Sequence, residues 1–355
     1  MNTARYSEFS RRQFVRSAGV GLAALAFQPI FPRVFASSRA PSSPDPRVLV
    51  IIHLQGGHDG LNTCVPFQDD RYYRARPTLA LGREDLIRID DTWALNRAGK
   101  PFEALFKDGK MAVVPDASYP QPSDSHYRAS EIWHTASAAD EVLYSGWVGR
   151  CFSHLQAQGR AVRGLYASPA RPRIFVREED RTARANVAAA GGDICGSLNA
   201  AGSAPLDALA EIGERAGASA DTEIYFVAVP GFDTHARQLE TQSARLHALS
   251  RALQLFQQRI EQRSIADRVL TMAFSEFGRS ATENAQGGTD HGGGSPVFLV
   301  GKNVRGGFTP GGNSASHDFK QILRPIVTDW LGVPVQAVFA RDPGRVELLR
   351  VFAQT

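Results

Sequence analysis

The chain has little cysteine and, over most of its length, no long apolar run. Its three cysteines, Cys64, Cys151 and Cys195, include no Cys-X-X-Cys pair, so a zinc site built on cysteine is not expected. Two of them could form a disulfide in an exported protein, and their positions do not say which two. After residue 40, no stretch approaches the roughly 20 apolar residues that a membrane-spanning helix needs. We therefore expect no transmembrane segment in the mature chain.

The chain also lacks an excess of charge once its first residues are set aside. Residues 1–36 hold five arginines and one glutamate, a net charge of +4, and the whole chain of 355 residues carries +4 as well. The remainder is therefore close to neutral. The sequence pI of about 9.1 reflects the first segment and does not indicate nucleic-acid binding. There is no internal repeat and no heptad run.

The first 36 residues have the pattern of a targeting segment. Arg11 and Arg12 precede the weakly apolar run 17–27, and residues 34–36 offer small side chains for cleavage. This order is that of a signal peptide, and the paired arginines with Phe14 indicate the twin-arginine type. A membrane-lying amphipathic helix is the alternative, but the apolar run has no polar face. We expect a signal peptide over 1–36, a linker over 37–46 and a single domain over 47–355. The protein would be periplasmic or secreted, exported by the twin-arginine machinery.

Short apolar runs alternate with amphipathic segments after the linker. Buried strands are predicted over 47–54, 111–114, 223–229, 268–273 and 297–300. Helices are predicted over 93–106, after Ser125, and over 205–215, 240–261 and 318–331. Residues 188–204 read as an exposed loop or lid, and 341–352 as a short closing element. This alternation predicts an α/β fold, a doubly wound, mostly parallel sheet with helices on both faces.

Polar, ionisable residues follow the carboxyl ends of the predicted strands. Because parallel strands place these ends on one edge of a sheet, we expect the polar residues to converge there, where open α/β sheets bind ligands. The candidate residues are Asp59, Ser125, His126, Asp233, His235, Glu276, Arg279, Asp290 and His291.

Each candidate also has an ordinary explanation. Asp59 precedes glycine and could be a turn residue, and Ser123, Asp124 or Ser125 could cap a helix. Glu276 and Arg279 are spaced as a helical ion pair, and a solvated loop could carry Asp290 and His291. A histidine packed on its own loop would equally explain the Asp233 and His235 pair.

Taken together, the acids and histidines form a ligand set suited to zinc, manganese, calcium or magnesium. The metal candidates are Asp59, Asp233, His235, Glu276, Asp290 and His291. Ser125 would be a hydroxyl nucleophile at a helix N-terminus, where backbone N–H groups can hold phosphate or sulfate. Arg279 could bind an anionic group through two parallel hydrogen bonds.

Several motifs resemble those of a bacterial exported family known as domain-of-unknown-function family 1501. They are the paired-arginine leader, 54–62 (LQGGHDGLN), 125–128 (SHYR), 132–133 (IW), 231–235 (GFDTH), 274–279 (FSEFGR) and 288–292 (GTDHG). The resemblance extends over about residues 10–332, nearly the whole chain.

That family is similar to the alkaline phosphatase–sulfatase superfamily, which implies an alkaline-phosphatase-like α/β core with a metal centre at the strand ends. By this resemblance, Asp59 and Glu276 would hold one metal, with Ser125 as nucleophile. Asp233, His235 and His291 would hold a second. The Asp-His pair of the superfamily stands here as Ser275-Glu276, so one nitrogen ligand is missing, and Asp233 lies closer to His235 than the usual spacing. The site could therefore bind a different metal, one metal or none.

Two functions follow from this resemblance. The first is a metal-dependent hydrolase of phosphate or sulfate esters, acting on a small anionic ester or a polysaccharide-type substrate. In it His126 is the acid/base or orienting residue. The second is a catalytically inactive member of the fold that serves as a periplasmic binding or assembly protein.

Overall fold

The structure is a computed structural model that describes residues 46–183, 194–198, 205–309 and 316–350. The predicted signal peptide, the linker except Pro46, and most of the predicted loop or lid over 188–204 lie outside the described residues.

The strands of the described residues belong to one large and two small sheets. In chain order they are β1 (Arg47–Leu54), β2 (Cys64–Val65), β3 (Leu86–Arg88), β4 (Ala94–Asn96), β5 (Met111–Ser118), β6 (Val162–Ala167), β7 (Cys195–Ser197), β8 (Thr222–Val229), β9 (Val269–Phe274), β10 (Arg279–Glu283), β11 (Thr289–His291), β12 (Ser295–Val300), β13 (Gly307–Phe308) and β14 (His317–Asp318).

The α-helices lie between these strands in the chain, except the last, which follows β14. They are α1 (Asp70–Ala75), α2 (Pro101–Lys107), α3 (His126–Thr135), α4 (Trp147–Ala157), α5 (Glu179–Ala183), α6 (Ala208–Arg215), α7 (Gln238–Gln262) and α8 (Phe319–Pro325), the last continuing as a π-helix over Ile326–Trp330. None of the helices in the described residues is both long enough and apolar enough to span a bilayer.

The main sheet has nine strands in the order β13-β5-β12-β9-β1-β8-β6-β7, with β14 also paired to β5. Strand β1 lies at its centre and is parallel to both β8 and β9. Leu54 pairs with Val229 and His53 with Phe274, so the carboxyl ends of these three strands lie side by side. The predicted mostly parallel sheet is confirmed.

Helices cover both faces of this sheet, as predicted. The alternating side chains of β1 divide between two apolar cores, with Leu49 and Ile51 in one and Val48 and Val50 in the other. Helices α3, α4 and α8 pack in the first core, and α2, α6 and α7 pack in the second. Burial on both faces explains why the β1 sequence is a continuous apolar run.

Strand β12 is antiparallel to both of its neighbours, β9 and β5. Its amino end therefore lies at the same edge as the carboxyl ends of β1, β8 and β9. The hairpin of β10 and β11 directly precedes β12 and therefore lies at this same edge of the sheet. This reversal brings His291 next to loops that follow parallel strands.

The predicted helix over 93–106 is wrong in its first half. Residues Ala94–Asn96 form β4, which pairs with β2 and β3 in a three-stranded sheet. The helix α2 begins only at Pro101. Proline is favourable at the first position of a helix, because the N–H group that it lacks would have no partner within the helix there. Strand pairing before this proline outweighs the helical spacing of the apolar residues. Residues 341–350 contain a single bridge, Val304 with Leu349, and no helix.

Cys64, Cys151 and Cys195 are all buried, and Cys64 and Cys151 are free thiols.

Candidate metal centre

Three loops meet above the carboxyl edge of β1, β8 and β9. The Gln55 N–H donates to the Val229 carbonyl (2.8 Å), and the Phe232 N–H donates to the Gln55 carbonyl (3.0 Å). Gly56 has a φ of 121°, and a Cβ at this position would lie 2.3 Å from the backbone nitrogen of Asp233. Only glycine permits this approach of the β1 and β8 loops. The loops therefore hold Asp233 over the sheet edge.

Arg279 joins these loops. Its guanidinium is fully buried, and each of its nitrogens donates to the protein. The acceptors are the carbonyls of Gly57 (2.8 Å from Nε), Thr289 (3.0 Å from Nη1), Phe232 (3.0 Å from Nη2) and Gly56, and Oδ1 of Asp233. The sequence predicts that Arg279 binds an anionic group of the substrate. The structure places it as a brace between loops, with its donors committed to the chain.

Asp233 lies at the centre of the cluster. Its Oδ1 is 3.1 Å from Nε2 of His291 and 3.0 Å from Nε2 of His235, and its Oδ2 is 3.5 Å from Nε2 of His126. Partial burial acts to raise the pKa of this carboxyl, but the hydrogen bond and positive charge of Arg279, with a further contribution from the adjacent His291 ring, outweigh it, and the net pKa is lowered. Asp233 is therefore a carboxylate at neutral pH. Its side chain is 47% exposed, which leaves the cluster open to solvent on one side.

The hydrogen bonds of two histidines fix where their lone pairs lie. Nδ1 of His291 is 2.9 Å from the carbonyl oxygen of Asp124, and Nδ1 of His126 is 2.8 Å from Oε1 of Glu276. Both partners only accept, so Nδ1 carries the hydrogen in each ring. The neutral form of each imidazole then has its lone pair on Nε2, facing Asp233.

Two imidazole lone pairs and a carboxylate thus converge, and ligand atoms of His126, Asp233 and His291 all lie within 4.8 Å of one another. Three atoms that only accept would repel one another unless a cation or a proton lay between them. A zinc site with three protein ligands has this composition. His235 adjoins it, with Nε2 3.0 Å from Nε2 of His291. The residues present fit a divalent metal ion.

Glu276 supports this cluster from beneath. Its Oε1 accepts from the Gly56 N–H (2.9 Å) and from His126, and its Oε2 accepts from Nε2 of His53 (3.2 Å). Burial acts to raise the pKa of Glu276, but the hydrogen bonds from His126 and His53 prevail and hold it far below its usual value. The bond to Glu276 in turn raises the pKa of His126. Glu276 therefore orients His126, as carboxylates do behind metal-binding histidines.

His53 is a member of this network that sequence reasoning missed. It lies within β1, is fully buried, and stacks on Phe274 with ring centroids 4.7 Å apart. Its Nδ1 has no hydrogen-bond partner in the described part of the chain. The signal available in the sequence was a single histidine inside the otherwise apolar run RVLVIIHL.

Asp59 lies apart from the cluster, in a buried ion pair. Its Oδ2 is 2.6 Å from Nη1 of Arg76, both side chains are fully buried, and Gln238 donates to the same oxygen. Arg76 also donates to the carbonyls of Ser280 (2.8 Å) and Ala281 (2.9 Å) in β10. The pair thus ties the β1 loop to the hairpin. A role for Asp59 as a metal ligand stays a prediction, and it would require Arg76 to move.

Ser125 and Asp290 lie on the exposed side. Ser125 has extended backbone angles and occupies the N-cap position of α3, but its side chain makes no capping hydrogen bond. Its hydroxyl precedes His126 directly at the start of the helix. Asp290, with a 72% exposed side chain, lies 3.4 Å from Nδ1 of His235. The structure thus brings His126, Asp233, His235, Glu276, Arg279 and His291 together, with Ser125 and Asp290 at the edge.

Solved structures with a similar fold share little sequence identity with this chain. One, described as "Ps i-CgsB in complex with k-i-k-neocarrahexaose", is 13% identical and covers 85% of this chain and 75% of its own (TM-score 0.46). The lipoteichoic acid synthase LtaP from Listeria monocytogenes is 10% identical, with coverages of 85% and 76% (TM-score 0.43). A protein in the alkaline phosphatase superfamily from Vibrio parahaemolyticus is 12% identical, with coverages of 85% and 69% (TM-score 0.42). A shared fold does not imply a shared function.

No curated protein matches the chain by sequence. One family does. Residues 199–320 match the family described as "Protein of unknown function (DUF1501)", which confirms over this segment the resemblance that the motifs indicated.

Proposed function

We propose that this protein is an exported, metal-dependent hydrolase of phosphate or sulfate esters. The observation that carries the proposal is the convergence of Nε2 of His126, Nε2 of His291 and the Asp233 carboxylate. Each ring is held in the tautomer that a metal ligand needs, by an acceptor behind it. The twin-arginine leader motif supports a periplasmic or secreted location.

The donor set favours one ion of the zinc class. Imidazole suits zinc and its neighbours in the first transition row, whereas calcium and magnesium prefer oxygen alone. Two histidines, with a third adjoining, make this set rich in nitrogen. The predicted second pair of ligands, Asp59 and Glu276, already receives hydrogen bonds from protein donors on both carboxylate oxygens of each residue. One ion therefore accounts for the free ligand atoms.

Such an ion would polarise the ester and offset negative charge in the transition state. The chain itself supplies the groups around it. Ser125 presents a hydroxyl at the amino end of α3, beside backbone N–H groups that can hold an anionic oxygen. His235, exposed by 46% and not tied to a buried acceptor, is placed to move a proton at the open side.

One observation favours the alternative, an inactive binding or assembly protein on the same fold. Arg279, the residue predicted to bind the substrate anion, instead donates its hydrogen bonds to backbone carbonyls of the protein. The two proposals differ in metal content, because an inactive member need not retain an ion.

Elemental analysis of the purified protein tests this, with His291→Ala beside His154→Ala. His154 is a histidine on α4 whose ring bonds only Gln158 among the described residues, so it serves as the matched control. We expect near-stoichiometric zinc or a related metal in the wild type and in His154→Ala, and its loss in His291→Ala. Hydrolysis of 4-nitrophenyl phosphate or 4-nitrophenyl sulfate should be retained in the wild type and His154→Ala, which keep the metal, and lost in His291→Ala. A wild type that takes up no metal from zinc or manganese solutions would leave the binding protein as the better account.

A further inference from the structure

A cleft of about 410 Å³ lies next to the candidate metal centre, between the three-stranded sheet and the edge of the main sheet. Its size is that of a small-molecule site. Most of its wall is apolar, contributed by Leu61, Pro66, Tyr72, Ala75, Trp93 and Pro115. No part of the predicted mechanism uses these residues.

The wall is built from aromatic and aliphatic side chains on rigid elements. Trp93 directly precedes β4 and stacks on Phe308, with ring centroids 5.4 Å apart. The Tyr72 hydroxyl donates to Asn62 (3.0 Å) and accepts from the Leu81 N–H (2.9 Å). The Tyr72 hydroxyl therefore already donates one hydrogen bond and accepts another within the protein. A ligand in the cleft would contact the ring of Tyr72.

Two acidic residues, Asp69 and Asp116, interrupt this apolar lining, and Asp69 already pairs with Arg71 (2.7 Å). Oδ2 of Asp116 accepts from the Ser316 hydroxyl (2.7 Å), but Oδ1 of Asp116 is shielded from solvent and has no hydrogen-bond partner within the described residues. A Cβ at Gly294 would lie 1.8 Å from this Oδ1, so only glycine leaves room for the carboxylate. A buried carboxylate oxygen without a donor costs free energy unless a ligand supplies one.

The cleft borders the metal centre through shared residues. Arg279 lines the cleft and also donates to Asp233. Gly293 and Gly294, also in the lining, follow His291 by two and three positions. A molecule in the cleft is therefore next to the loops that carry the proposed ligands.

We propose that this cleft binds the alcohol half of the substrate, an apolar ring or chain that carries one hydrogen-bond donor for Asp116. The proposal deepens the proposed hydrolase function and rests on it for the identity of the molecule as half of an ester. The lining favours an aryl or cycloalkyl group over a sugar, because a sugar would need polar partners along its whole length. We assign the phosphate or sulfate to the side of the metal centre, because the ion proposed there would offset its negative charge.

Fluorine NMR of the full-length protein tests this with two probes of one shape. 4-(Trifluoromethyl)phenol carries a donor, and 4-(trifluoromethyl)anisole has the same ring without one. We expect the phenol to bind at least 5-fold more tightly than the anisole, and Asp116→Asn to remove most of that difference. Ala75→Phe, which fills the cleft, should weaken both probes at least 10-fold. Arg74→Phe places the same ring one position earlier, outside the lining, and should change neither affinity by more than 2-fold.

The fluorine NMR titration is run before and after treatment with a chelator. Failure of the cleft proposal can then be distinguished from failure of the metal-centre proposal. Binding that persists without metal supports the cleft even if the protein proves not to be a hydrolase. Equal affinities of phenol and anisole, or binding that is unchanged in Ala75→Phe, would overturn the proposal. Circular dichroism of Ala75→Phe and Arg74→Phe establishes that each variant folds.

Discussion

Nδ1 of His126 donates to Oε1 of Glu276 at 2.8 Å, across 150 positions of the chain. This one contact decides which nitrogen of His126 faces the cluster. Through the same contact, Glu276 orients the ring of His126, although a carboxylate at this position could also have been a metal ligand. Removing the negative charge should therefore weaken metal binding without removing a ligand atom.

We expect Glu276→Gln to lower the affinity for zinc by about 10- to 100-fold, the usual cost of losing a partner behind a metal-binding histidine. Competition with a coloured chelator measures this. Glu131→Gln is the matched control, since Glu131 is also buried but pairs with Arg128 and Arg173. An unchanged affinity in Glu276→Gln would show that His126 is not held through this carboxylate.

His53 should act through Glu276. His53→Phe keeps a ring on Phe274 but loses the hydrogen bond to Glu276, and we expect zinc affinity to fall about 10-fold. His53→Gln retains an N–H donor and should recover most of it. The control is His134→Phe, because His134 is a neighbouring ring 5.3 Å from His53 that makes no hydrogen bond to Glu276 among the described residues. Equal losses in His53→Phe and His134→Phe would indicate a packing effect alone.

Arg279 should matter for stability before it matters for catalysis. Replacing it by Gln leaves several loop carbonyls and the Asp233 carboxylate without a donor. Each buried acceptor left without its donor costs about 1–3 kcal/mol of the free energy of unfolding, so we expect a loss of several kcal/mol. Urea denaturation measures this loss, and Arg215→Gln, in an exposed pair with Glu211, should stay within about 0.5 kcal/mol of the wild type. A small effect at Arg279 would mean that the loops hold one another without it.

His58 should make the fold sensitive to moderate acid. Burial lowers the pKa of His58 to about 4, against the attraction of Asp59, which raises it. The unfolded chain, with an ordinary histidine pKa near 6.5, binds the proton first, so stability falls as pH decreases from about 6.5 to about 4. The loss for this group amounts to about 3 kcal/mol at the lower limit. His58→Gln should flatten the pH dependence of urea unfolding across that window, and a parallel curve would contradict the assignment.

The thiols of Cys64 and Cys151 should be inert in the folded protein. Burial raises the pKa of Cys151 to about 12, and burial likewise raises that of Cys64. Because the thiolate is the reactive form, we expect neither thiol to react with a disulfide reagent in buffer at pH 8 and both to react in denaturant. Peptide mapping of the labelled protein identifies the cysteines that reacted, and labelling of either one in buffer would contradict the prediction.

The sequence was most informative where a pattern depends on neighbours in the chain. The run 47–54 predicts β1 because continuous burial on both faces leaves an unbroken apolar stretch, and the parallel sheet follows from the alternation with helices. Strand ends then predict which loops meet, and this placed Asp233, Glu276 and His291 at one edge.

Roles within that edge depend on partners that sequence spacing does not reveal. The sequence pattern does not reveal that Asp59 is paired with Arg76, which follows α1. The sequence pattern also does not reveal that carbonyls from three loops accept the hydrogen bonds of Arg279, which is predicted to bind an anion. In both cases the competing partner is a contact between distant segments, which local pattern cannot supply.

The bond from His291 to the Asp124 carbonyl joins residues 167 positions apart and closes the cluster across the reversed strand β12. Until β1, β8, β9 and β12 are all assembled, the ligand atoms belong to separate stretches of an unfolded chain. An ion at this centre would bind only the completed sheet, and by mass action would add about 4 kcal/mol to stability at a thousand times its dissociation constant. Occupancy of the site would thus report that folding is complete, which would suit the proposed twin-arginine route, because that route carries proteins that are already folded.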